Sequence, residues 1–147
     1  MKRILGRGVA VLAALLAMLL LSVPVVNDLM AERIADGLRA LPLPEGTELV
    51  ETAYAAGKLA GSGNGMQYFG AILLRSGLSL GELKAYYSNY AGHDWECRVE
   101  PQQGGAIRVI EHGGLRFDAP AEGEGFYIVY SWGDGAPFFE EFDLRGH

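Results

Sequence analysis

Residues 58–76 read KLAGSGNGMQYFGAILLRS, and the fold turns on what the glycines at 61, 63 and 65 are for. A dinucleotide fingerprint needs G-x-G-x-x-G between a strand and a helix, so that the helix N-terminus faces the pyrophosphate. Here the glycines lead into MQYFGAILLRS at 66–76, apolar on both faces, the pattern of a central strand. A P-loop is excluded too, because no Gly-Lys-Ser/Thr is present. Gly and Asn supply the positive φ angles of a hairpin turn instead. The stretch therefore reads as a structural turn leading into a strand.

Working outward, TELVETAYAAG at 47–57 has period two, with Val50, Thr52, Tyr54 and Ala56 on one face. Downstream, Ser79-x-x-Glu82 forms a capping box before a helix whose apolar face is Leu80, Leu83, Tyr87 and Tyr90, with Gly92 as its stop. DWECRVEPQ alternates: Trp95, Cys97 and Val99 face one way, Glu96, Arg98 and Glu100 the other. AIRVIEH and LRFD read as short strands joined by Gly113-Gly114. FYIVYSW at 126–132 reads as a last strand, apolar on both faces. The order is β-β-α-β-β-β. One helix cannot supply parallel crossovers, so the expected fold is α+β, an antiparallel sheet with that helix on one face.

The 20 residues 8–27 carry no charge and include VAVLAALLAMLLLSVPVV. A membrane-crossing helix needs ~20 predominantly apolar residues. Lys2, Arg3 and Arg7 precede the run, and Asp28 and Glu32 come after it. By the positive-inside tendency the N-terminal flank is cytoplasmic and the rest is exported, which places the chain in the cell membrane as a single-pass protein. A cleaved signal peptide has a shorter apolar region and a small-x-small site; SVPVVNDLM offers neither, so an uncleaved signal anchor is expected. The spacing of Leu29, Ile34, Leu38 and Leu41 predicts a helix over 28–40, continuous with the span, with Asn27 or Asp28 able to cap it. Pro42 and Pro44 end it. The expected organisation is a cytoplasmic tail and anchor at 1–27, a juxtamembrane helix and linker at 28–44, and an extracytoplasmic domain at 45–147.

Three of the 12 bases precede the run, so nine bases stand against all 18 acids and the part beyond it carries a charge of −9. That balance disfavours nucleic acid and anionic lipid as partners, since both need a basic footprint. The single cysteine, Cys97, forms no internal disulfide, and the core alone must hold the domain.

Chemistry-bearing residues are sparse. His93, Asp94, Glu96 and Cys97 lie close in sequence, with Glu111 and His112 able to join across the sheet, but zinc needs four convergent ligands. Glu140 and Glu141 lack the surroundings of a calcium loop. No metal and no cofactor is expected. The aromatic set Tyr127, Tyr130, Trp132, Phe138, Phe139 and Phe142 is the feature hardest to dismiss. One helix leaves the other face of the sheet open, and APFFEEF at 136–142 is expected either to cover it or to present a groove to a partner.

GSGNGMQYFGAILLRS, YIVYSWG and the terminal LRGH, after a signal anchor, together resemble a group of uncharacterised small single-pass membrane-anchored proteins of Gram-positive bacteria. The resemblance implies no activity, ligand or catalytic residue. The functional expectation is a non-enzymatic, membrane-anchored interaction domain contacting a protein or envelope partner through Trp132, Phe138, Phe139 and Phe142. The alternative is a cell-envelope hydrolase using His93 or His112 with a carboxylate such as Glu111.

Overall fold

A computed structural model describes the backbone of residues 2–92 and 96–147 and the side chains from Arg7 onward. Helix α1 (Lys2–Arg39) is followed by strands β1 (Thr47–Gly57) and β2 (Gln67–Ser76), helix α2 (Leu80–Ser88), strands β3 (Arg98–Pro101) and β4 (Phe126–Gly133), helix α3 (Pro137–Phe142) and a 3-10 turn at Leu144–Gly146. The four strands form one antiparallel sheet in the order β1-β2-β4-β3. The α+β class and the central place of β2 agree with the sequence reading.

Helix α1 is continuous through Pro24 and changes character along its length. Between Val9 and Leu21 its large apolar side chains are exposed. From Val23 on, one face is buried: Val23, Asn27, Ala31, Ile34, Ala35 and Leu38, at helical spacing. Leu29, expected in the buried stripe, is exposed. Asn27 caps nothing, because the helix does not begin there. The segment read as juxtamembrane helix and linker is thus built into the core of the domain. The contact is possible because small residues meet: a Cβ on Gly70 of β2 would lie 2.4 Å from the backbone nitrogen of Ala35. The helix backbone rests directly on the strand backbone there.

Alternation along β2 divides the core. Ile72 and Leu74, with Val129 and Val99, pack beneath Leu38 of α1 and Leu83 and Tyr87 of α2. Tyr68 packs with Ala31 and Ile34 of α1. This face therefore carries two helices, where the sequence predicts one. The capping box of α2 is formed as expected, with Ser79 Oγ accepting from the Glu82 amide and the Glu82 carboxylate accepting from the Ser79 amide; the helix ends at Ser88, before Gly92. A β-bulge between Leu49 and Glu51 shifts the parity of β1. Leu49, rather than Val50, consequently joins the α2 side.

Phe69, Ala71 and Leu73 point the other way, with Ile128 and Tyr130. They are covered by residues 102–125, through Ile107, Ile110, Phe117 and Ala121. This segment replaces the predicted AIRVIEH/LRFD hairpin, of which one bridge remains, Ala106 to Arg116. Two cross-strand bonds go with it, from the Ile107 amide to the Leu115 carbonyl and from the Phe117 amide to the Gly105 carbonyl, and several other amides find partners elsewhere. Glu111 and His112 donate to the Leu59 carbonyl, Gly104 to Ala121, and Asp118 and Ala119 to the Glu51 carboxylate. The C-terminal segment accordingly does not cover the open face, which is already occupied. Instead α3 lies against α1.

Candidate functional site

The site is built where α1 enters the domain, and four residues from three distant parts of the sequence make it, Asn27, Tyr68 and the pair Asp143 and Arg145. Asn27 on α1 is 0% exposed; its Nδ2 donates to Asp143 Oδ2 at 2.8 Å and to the Phe139 carbonyl at 3.1 Å. The Tyr68 hydroxyl, from the second residue of β2, donates to Asn27 Oδ1 at 2.8 Å. The Asp143 side chain, 3% exposed, receives Arg145 Nη2 at 2.8 Å and both the Nε and the backbone amide of Arg145 at 3.0 Å. Arg145 also reaches α1, donating from Nη1 to Asp28 at 2.7 Å and from Nη2 to the Pro24 carbonyl at 3.1 Å. Each buried polar atom of Asn27 thus has a partner, as burial requires.

The electrostatics of the site come from this packing. The Arg145 hydrogen bonds, helped by Asn27, outweigh desolvation and hold the Asp143 carboxyl at about 2. Burial first, then the charges of Glu140 and Asp143, push the Tyr68 hydroxyl up to about 12, so it remains a donor. The guanidinium of Arg145 is held more firmly protonated, chiefly by Asp143 and then by Asp28.

Beside this clasp the rings of α3 form a cluster, Phe138 to Phe139 at 5.3 Å and Phe138 to Phe142 at 5.0 Å between centroids. Phe138 is 52% exposed, Phe142 54% and Leu144 86%. Burial of these rings, expected from the sequence, is therefore not what the chain achieves by itself. Trp132 is separate: half-buried, it packs edge-on against Phe69 at 5.0 Å, at the margin of the core covered by residues 102–125.

Glu111 and His112 serve the glycine loop. The Glu111 carboxylate accepts from the Gly61 amide at 2.9 Å, and His112 Nε2 lies 3.1 Å from the Gly61 carbonyl. Other amides of the loop are engaged as well, Leu59 and Ala60 by Gln67 Oε1 and Gly65 by the Gly146 carbonyl. With a carboxylate and carbonyls on its amides, the loop is arranged as a structural connection between β1 and β2. It spans residues 58–66, longer than a tight hairpin, and it is tied to the clasp through Gly146. His93 lies outside the described residues. Among the described residues no group of three or more His, Cys, Asp or Glu side chains converges as a metal site.

Sequence reasoning missed Asn27, Tyr68, Asp143 and Arg145 as a site. A single amide at the end of an apolar run and an Asp-x-Arg near the C-terminal end are the visible signals, but nothing local shows that they meet. Comparisons with protein-family models, with curated proteins and with solved structures find no match to the chain.

Proposed function

We propose that the protein is a single-pass membrane protein: residues 8–27 cross the cytoplasmic membrane with the basic flank inside, and the α+β domain works outside as a non-enzymatic interaction module. The observation that carries this reading is α1 itself, one helix of 38 residues that is long and apolar enough to span in its first part and belongs to the domain core in its last. An exposed apolar surface of that extent is compatible with lipid and not with water. The Lys2, Arg3 and Arg7 flank supports the orientation.

The clasp gives the arrangement its mechanical sense. Asn27, Asp28 and Pro24 are held from the C-terminal segment, so the domain does not swing on a linker. It moves as one body with the span. The residues Thr47, Ser76 and Phe126 mark the sheet end remote from the clasp, as their pairing register requires. An open groove of about 520 Å³ lies there, lined by Gly46, Thr47, Ser76, Gly77, Glu124 and Gly125 among others. This is the end that a rigid, upright domain holds out to an envelope or membrane-protein partner. The groove lining also holds Glu48, which pairs with Arg75, so Glu124 is the unbalanced charge and a neutral or basic partner is favoured.

The test is topological first. A reporter fused after His147 that works only outside the cytoplasm should be active, the protein should resist alkaline carbonate extraction, and its N-terminal sequence should begin before residue 8. A mature protein beginning after residue 24, or a reporter active only in the cytoplasm, overturns the reading. A photo-cross-linking residue at Glu124 should yield a discrete adduct in intact membranes; no adduct there withdraws the interaction role and leaves the anchor.

A further inference from the structure

We infer that α3 and the turn after it form a membrane-docking element, with Phe138, Phe142 and Leu144 entering the outer leaflet beside the emerging span. This deepens the reading of α1 as a transmembrane helix and rests on it. The domain would then be seated on lipid by two adjacent contacts.

The argument is one of height. Phe142 and Leu144 line one groove, about 600 Å³, with Leu20 and Pro24 of α1, so these side chains lie at the same level. At 1.5 Å per residue, Leu20 and Pro24 stand ~18 and ~24 Å along the helix from Gly8. With Gly8 at the inner edge of a hydrocarbon core ~30 Å thick, both lie ~6–12 Å below its outer edge. Interfacial helices bed their apolar faces ~5–10 Å into the same zone. The groove therefore cannot be in water while 8–27 is in lipid. Tilting the helix deepens it further.

The chemistry of the patch agrees with its height. Phe142 and Leu144 adjoin the exposed Leu20 of the span, so the apolar surface is continuous from α1 to the turn after α3. Of the three charged residues that line the groove, Arg145 is paired with Asp143 and also with Asp28 of α1, while Glu141 is exposed. Glu140 accepts from the Gly135 amide. Paired charges are what a low-dielectric boundary tolerates. Glu141 lines the groove as well, and Arg145, the one base that lines it, is already engaged, which argues against attraction to anionic headgroups. The occupant is thus a zwitterionic lipid surface, held by apolar insertion.

The test uses the full chain with Cys97→Ser, reconstituted in phosphatidylcholine nanodiscs, carrying one spin label at a time on Leu144→Cys, Leu16→Cys or Glu45→Cys. Collision with oxygen and with a water-soluble nickel chelate reports depth. The labels at 16 and 144 should favour oxygen, with 144 the shallower, and the label at 45 should favour the nickel reagent. Adding anionic lipid should not deepen the label at 144. If 16 is in lipid but 144 is water-accessible, or is shielded from both reagents as a protein occupant would shield it, the docking element is refuted and the span stands. If 16 itself is water-accessible, the span reading fails. A label at Phe138→Cys, checked for native circular dichroism, must give the same answer as that at 144.

Discussion

Replacing Asp143 with Asn isolates the charge at the centre of the clasp. Asn keeps the size and an acceptor for Asn27 Nδ2, and so mimics the protonated acid. In the folded chain the carboxyl is lowered from 3.8 to about 2. That lowering, at ~1.4 kcal/mol for each tenfold change in acidity, sets an upper bound near 2.5 kcal/mol. The partner Arg145 has a side chain 39% exposed, and solvent screening of that kind brings the expected loss to ~1–2 kcal/mol. For a domain of this size that is ~4–10 °C in Tm. The sign is fixed by linkage: a lowered folded value gives stability that is complete above the unfolded value near 4 and is lost as pH falls towards about 2. Wild type and Asp143→Asn should therefore differ at pH 7 and 5, and converge between pH 4 and 2. The assay is thermal unfolding of the full chain in mild detergent, followed by circular dichroism. A gap that stays constant with pH, or widens in acid, would refute the assignment of Asp143 as the charged centre.

Three further substitutions test the packing. Gly70→Ala should push α1 off the sheet, because the new methyl meets the Ala35 and Ile34 backbone; a cost of ~1–3 kcal/mol or more is expected, with faster hydrogen exchange at residues 31–38, and unchanged exchange would contradict the close approach. Phe117→Ala should cost ~3–5 kcal/mol in urea unfolding if residues 102–125 are the true cover of the sheet, and little if they are not. Gly65, at φ +137, should resist Val by ~1 kcal/mol or more, whereas Gly63, with open space and no positive φ, should accept it within ~0.5 kcal/mol; equal effects would show that the loop conformation is misread.

Much of the domain is legible along the chain. The both-faces apolar run at 66–76 marks the central strand, and the Ser79/Glu82 box marks the start of α2. The glycines at 61–65 are separable from a nucleotide loop because a strand, not a helix, succeeds them. The uncharged run at 8–27 and the helical spacing after it predict a continuous helix. These are local signals, set by period, caps and breakers within a few residues. Residues 102–125 mislead because short apolar stretches with a Gly-Gly look like a hairpin, while their amides bond instead to Leu59, Ala121 and the Glu51 carboxylate. A bulge of one residue is enough to exchange Val50 for Leu49.

The candidate site is almost wholly invisible at that level. Glu111 and His112 serve the glycine loop, Trp132 packs half-buried against the covered core, and the exposed rings of α3 lie beside α1. Asn27 and Asp143, which make the clasp, are 116 positions apart. The helix that can span, the strands and the acidic balance could be read without coordinates, because periodicity and charge act locally and are additive. Which cover lies on which face of the sheet, and the hold of the C-terminal segment on α1, emerge only in three dimensions. Those outcomes depend on backbone approach at a glycine, on where loop amides find acceptors, and on a buried polar network that exists only once all its members have met.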